Sequence, residues 1–138
     1  MTCELCETTG GILLWQDPRC RIVEVDTTDY PGFCRVIWNA HVREMTDLGS
    51  ADRTYFMQIV FAVEQALRDV LRPEKINLAS LGNQVAHLHW HVIPRFRDDP
   101  HFPQPVWGER QRAANSNPDR PAWSAALRAT IKNINKNN

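Results

Sequence analysis

His87-Leu88-His89-Trp90-His91-Val92-Ile93 alternates imidazole with apolar side chains. Alternate residues of an extended strand share a face, so this stretch predicts a strand with three imidazoles on one side. Leu88, Trp90 and Val92 then turn to a core on the other. Working outward, Lys75 to Leu81 predicts the strand before it, and the triad strand itself spans His87 to Pro94. Further upstream lies a helix that Ser50 can cap and Pro73 stops, with Phe56, Val60, Val63, Leu67 and Val70 at steps of three and four. Three more strands precede it: Gly10 to Gln16, Cys20 to Asp26 and Phe33 to Trp38. They are separated by the turns Asp17-Pro18 and Tyr30-Pro31-Gly32. Beyond Arg97, Pro100, Pro103, Pro105, Pro118 and Pro121 break the chain into loop. A last helix from about Pro121 aligns Trp123, Leu127, Ile131 and Ile134. The pattern predicts an α+β fold: a mostly antiparallel sheet with the long helix on one face, and a C-terminal extension with a short helix.

Composition narrows the function. The chain has 138 residues, enough for one domain, and sixteen basic residues balance sixteen acidic ones. A net charge of zero argues against a nucleic-acid coat or a polybasic membrane anchor, both of which need a field of one sign. Hydrophobic residues make up 43% and charged residues 23%, the balance of a folded soluble protein. The apolar run Ile12 to Trp15 is far shorter than the ~20 residues of a spanning helix. Met1-Thr2-Cys3-Glu4 has no export character, so a cytoplasmic location with four reduced cysteines is expected.

What can alternating histidines do? Filling the polar half of a strand does not require three imidazoles in strict alternation. Neighbouring same-face residues lie ~7 Å apart, a spacing that suits two ligands of one metal, whereas the outer pair is ~13 Å apart, too far to share an ion. The other use is an anion site. A neutral imidazole near its ordinary pKa of ~6.5 is nucleophilic and shuttles protons, and phosphorus is what it usefully attacks.

His-x-His-x-His followed by Val92-Ile93-Pro94-Arg95 resembles the signature of the histidine triad (HIT) superfamily of nucleotide hydrolases and transferases. Gly82-Asn83-Gln84 is similar to the Gly-Gln-Ser/Thr segment before the triad. Pro31-Gly32-Phe33 with downstream His41 looks like the family's Pro-Gly-His strand and its following His. The resemblance covers about residues 3 to 97 and is nearest to the bacterial diadenosine tetraphosphate hydrolase-like branch. It implies a HIT-like domain over 1–138, with 98–138 as loop and terminal helix, a five-stranded antiparallel sheet and a homodimer.

It further implies hydrolysis at the α-phosphate of dinucleoside polyphosphates or nucleoside phosphoramidates, through a nucleotidyl intermediate on His89. No metal is needed for that chemistry. His91 would bind the phosphate, and Asn83 and Gln84 would donate to its oxygens. Asn77 and Asp26 fall near positions that contact substrate, each one residue out of register. Gln84 stands where the family has Ser or Thr, so the group that protonates the leaving group is not carried over.

Cys3-Glu-Leu-Cys6 is half of a tetrahedral zinc site, or two small buried thiols. Some bacterial members of the family complete such a site with positions that match His41 and His87, which implies a structural zinc on Cys3, Cys6, His41 and His87. Cys20 and Cys34 are expected to pack within strands, and loop residue His101 to be solvated. Trp107 offers a stacking face to a base, a partner or its own domain. Arg95 and Arg97 face either the phosphates or solvent. Two other classes stay open: a zinc-stabilised nucleotide-binding module with little turnover, and a metal-dependent hydrolase using two triad histidines as ligands.

Overall fold

The computed structural model describes residues 2–27, 29–114 and 120–134. In chain order the elements are α1 (Glu4–Glu7), β1 (Ile12–Gln16), β2 (Cys20–Glu24), β3 (Cys34–Trp38), α2 (Ser50–Leu71), β4 (Lys75–Ala79), β5 (His89–Arg95) and α3 (Arg120–Lys132). A short 3-10 turn covers Met45–Asp47. The strands form one five-stranded antiparallel sheet in the order β1-β2-β3-β5-β4. The expected α+β architecture is therefore found, and the strand carrying His89 and His91 is an inner strand, held by β3 on one side and β4 on the other.

The period of two sorts the sheet into a packed face and a chemical face. Cys20 and Ile22 of β2, Cys34, Val36 and Trp38 of β3, Ile76 of β4 and Val92 of β5 enter the main core. They meet Phe56, Val60, Val63 and Leu67 of α2 and Leu127 and Ile131 of α3. Burying each of these large aliphatic or aromatic side chains contributes roughly 1.5–3 kcal/mol relative to leaving it in water. Arg21, Val23, Arg35, Ile37, His89 and His91 take the alternate positions, on the opposite face.

Two expectations about local structure are corrected. Ser50 is the first residue of α2 rather than its cap: Gly49 holds the extended cap conformation and accepts the Arg53 N–H. The left-handed Arg72 and then Pro73 end the helix, as predicted. The triad strand begins at His89, not His87. Leu88 gives its N–H to Val42 and accepts from Trp38, so the chain is leaving the ladder there and His87 is free to turn away from its two neighbours.

The chemical face is roofed from both ends. α1 lays Leu5 against Val23 and Ile37. Arg21 pins that segment, donating to the carbonyls of Leu5 (2.6 Å), Thr8 (3.2 Å) and Thr9 (3.0 Å) and to Asn39 Oδ1 (3.0 Å). From the other end, the chain after β5 folds over Asp99. Its carboxylate takes a two-pronged ion pair from Arg95 (2.8 and 3.0 Å) and the backbone N–H groups of Phe96, His101 and Phe102. The proline-rich segment is thus anchored, and its Trp107 reaches back over the sheet.

Candidate functional site

Two centres share the chemical face, joined by the short run from His87 to His89. In the first, Cys3 and Cys6 on either side of the first turn of α1 meet His41, just past β3, and the buried His87. Cys3 Sγ lies 3.3 Å from His87 Nδ1, Cys6 Sγ 3.4 Å from His41 Nδ1 and 3.5 Å from His87 Nδ1. The two Nδ1 atoms are 3.3 Å apart. Tetrahedral bonds of about 2.3 Å to sulfur and 2.0–2.1 Å to nitrogen give edges of about 3.3 Å between nitrogens and 3.5 Å between nitrogen and sulfur. The donor set and its spacing therefore fit zinc.

Tautomers agree with that fit. His87 Nε2 lies 2.6 Å from the Trp38 carbonyl, which can only accept, so Nε2 carries the proton and Nδ1 presents a lone pair to the cluster. Burial holds the His87 pKa below its ordinary value, keeping the ring neutral as a ligand must be. The hydrogen bond to Cys3 and the burial between them push the Cys6 thiol up, a cost that a bound dication removes.

The second centre is His89 with His91. Both are buried, with ring centroids 4.9 Å apart in an edge-to-face arrangement. His89 donates Nδ1–H to the carbonyl of His87 at 2.5 Å. Its Nε2 is left as a bare lone pair on a fixed ring. Burial lowers the pKa of His89, and it lowers that of His91 to about 4, helped by the charges of His89 and Arg35. Both are neutral near pH 7. His91 lies between the edges of Phe33 (5.7 Å) and Trp107 (4.9 Å), and its Nδ1 is buried without a hydrogen-bond partner.

The other expected site residues are spread more widely, and of these Asn77 shares the face of the pair. Asn77 is on β4, and its Oδ1 accepts from Arg95 Nη1 at 2.8 Å. Asn83 and Gln84 are exposed in the loop between β4 and His87, with Gln84 lining a cavity beside Cys3 and His41. Asp26 stands exposed beyond the end of β2. A cavity of about 850 Å³ runs along β4 beside the pair, walled by Asn77, Ala79, Arg95, Phe102 and Trp107.

Two expectations are corrected here. His101 is not merely solvated: its Nδ1 hydrogen-bonds the Tyr30 hydroxyl and its ring stacks on Tyr30. Arg95 does not end its strand in solvent: it is buried and paired with Asp99, while Arg97 pairs with Glu74 at the surface. Cys20 and Cys34 are packed in strands, as expected. Sequence reasoning overlooked Arg35. Its signal was a lone cation in the apolar strand Phe33-Cys34-Arg35-Val36-Ile37.

A family model described as the HIT domain matches residues 10–98. A histidine triad protein from Bradyrhizobium japonicum superposes with a TM-score of 0.77 at 28% identity, over 95% of this chain and 96% of that one. One from Sinorhizobium meliloti gives 0.73 at 29%, over 95% and 93%. A zinc-bound histidine triad family protein from Mycobacterium smegmatis gives 0.69 at 21%, over 100% and 99%. No curated protein matches the chain.

Proposed function

The chain belongs to the HIT domain family, and from that premise we propose that it is a nucleotide hydrolase or transferase acting at an α-phosphate through a covalent nucleotidyl-His89. One observation carries the reading: the hydrogen bond from His89 Nδ1 to the His87 carbonyl, which fixes the tautomer and leaves Nε2 as the nucleophile. Nε2 attacks the α-phosphorus. The bond from phosphorus to the leaving oxygen or nitrogen breaks, and the leaving group keeps the electron pair and takes up a proton. Water then attacks the same phosphorus and the P–Nε2 bond breaks. The lone pair returns to His89 and a nucleoside monophosphate departs.

Around that step, His91 and the amides of Asn83 and Gln84 hold phosphate oxygens, and Asn77 and Asp26 contact the nucleoside. Asn77 is suited to this, since its Oδ1 is spent on Arg95 and its amide N–H groups remain to donate. The leaving group, the second half of a dinucleoside polyphosphate or the amine of a phosphoramidate, enters the cavity under Trp107. The reading extends to a cytoplasmic homodimer of the diadenosine tetraphosphate hydrolase-like kind. Among the described residues no helix is long and apolar enough to cross a membrane.

Cys3, Cys6, His41 and His87 would hold zinc. When bound, it supplies a structural tie between the N-terminus, the end of β3 and the run leading into His89. His89 and His91 remain for chemistry.

The test is to incubate the protein with diadenosine polyphosphates and nucleoside phosphoramidates, quench without acid and weigh it. A nucleotidyl adduct mapping to His89 and missing in His89→Ala supports the reading. Nucleotide binding without adduct or turnover replaces it with a binding module.

A further inference from the structure

Three arginines lie on the chemical face, and their partners differ. Arg21 is saturated by three carbonyls and Asn39. Arg95 is neutralised by Asp99. Arg35 has neither: its one hydrogen bond among the described residues runs from Nη1 to the Gly10 carbonyl at 3.1 Å. Its Nε is buried with no partner. The ion pairs among the described residues use other arginines. Glu4, exposed on α1, is the carboxylate whose charge Arg35 feels, and the two make no ion pair.

The second unpartnered buried nitrogen among the described residues is His91 Nδ1, and His91 is the residue directly opposite Arg35 in the β3–β5 ladder. Two polar groups without a protein partner on paired positions, one a permanent cation, form a pair suited to an anion. An unpaired buried donor costs roughly 1–3 kcal/mol, more when it is charged, so an oxygen acceptor that meets it is strongly favoured. With Nη1 on Gly10, the guanidinium edge of Nε and Nη2 is left, the fork that grips two oxygens of one phosphate. The same charge reaches His89 and His91, where it adds to burial in keeping both imidazoles neutral.

We infer that Arg35 is a substrate-binding residue of this site, its Nε/Nη2 fork taking oxygens of the nucleotide phosphate beside His91. This rests on the reading of the site as nucleotide-binding and adds to it a permanent cation that no carboxylate neutralises among the described residues. As negative charge builds on the phosphoryl oxygens during attack by His89, the fork is already in place to stabilise it.

Calorimetric titration with AMP and adenosine, and with GMP and guanosine, tests the assignment on the wild type, Arg35→Gln and Arg35→Met. The expected result is a 10- to 100-fold loss of monophosphate affinity in both variants, the range of a charge-assisted hydrogen bond, with nucleoside affinity within about threefold. Equal monophosphate affinity in wild type and variants overturns the inference. So does parallel loss of nucleoside and monophosphate in both variants, which makes Arg35 a packing residue. If the wild type binds no monophosphate, the nucleotide reading itself fails, a different result.

Discussion

His89 is hydrogen-bonded through Nδ1 to the main-chain carbonyl of His87, 2.5 Å away, while the ring of His87 is a member of the Cys3, Cys6, His41 cluster. The proposed nucleophile and the proposed zinc ligand are thus two residues apart and mechanically linked. Anything that frees His87 frees the carbonyl that orients His89.

Loss of a cluster ligand therefore has two effects. Cys6→Ser should lower the zinc content of purified protein from about one equivalent to a small fraction, since a tetrahedral site with three strong ligands binds far less tightly. It should also lower the thermal midpoint, because zinc binding contributes to folding. Adduct formation at His89 should fall as well, although none of the four proposed ligands is assigned a contact with substrate. Elemental analysis, thermal denaturation and intact mass follow the three quantities. A variant that keeps full metal content, or a wild type with well under one equivalent, rejects the site.

The periodic parts of this architecture were open to sequence reasoning. Strand β5 shows its two faces through alternation, and α2 shows its buried stripe through Phe56, Val60, Val63 and Leu67. What alternation could not show is where it stops. His87 obeys the period in sequence, yet Leu88 pairs with Val42 and breaks the ladder, an event decided by a segment 46 residues away. Burial of Arg95 was hidden for a related reason: Asp99 becomes its partner only because the chain turns back after β5. The four cluster residues were named from a resemblance, since spacing alone offered only the Cys3–Cys6 half.

That Arg95–Asp99 pair gives a contrast in burial. Its side chains are 3% and 4% exposed, against 79% and 44% for Arg97 and Glu74. Asp99→Asn strands a buried guanidinium and should cost about 3–5 kcal/mol. Glu74→Gln, at an exposed pair screened by solvent, should cost less than about 1 kcal/mol. Urea denaturation of both variants at neutral pH gives the comparison. Similar costs mean that Asp99 is not the anchor of the segment after β5.

Gly32 offers a backbone test. Its φ is +84°, and a Cβ there would stand 2.5 Å from Leu71 Cδ1 and 3.3 Å from Leu67 Cδ2, both in the core beneath the turn into β3. Gly82 has a similar φ of +77°, but its nearest neighbour would be the Val85 carbonyl at 3.6 Å. Alanine at either position meets the left-handed strain of about 1–2 kcal/mol, and only at position 32 must the core also give way. Gly32→Ala should therefore be the more destabilising by at least ~1 kcal/mol. Equal urea midpoints contradict the packing.

The pH dependence of stability isolates His91. Burial, the neighbouring His89 and the Arg35 charge put its pKa at about 4, against 6.5 for an unperturbed imidazole. Between those values the unfolded chain binds a proton that the native site refuses, so stability rises with pH across the window. The contribution is fully present above pH 6.5 and is lost as pH falls toward 4. Zinc ligands protonate in the same acid range, which is why the informative quantity is a difference between two proteins sharing the cluster. From pH 7.5 to 4.5 the wild type should lose roughly 2–3 kcal/mol more than His91→Asn, measured by urea denaturation in parallel. A substrate phosphate works against that shift, because an anion beside His91 favours the protonated ring. Saturating AMP should therefore shrink the difference. Identical pH profiles for the two proteins without nucleotide would mean that His91 ionises freely and is not the neutral, enclosed group that the edges of Phe33 and Trp107 make it.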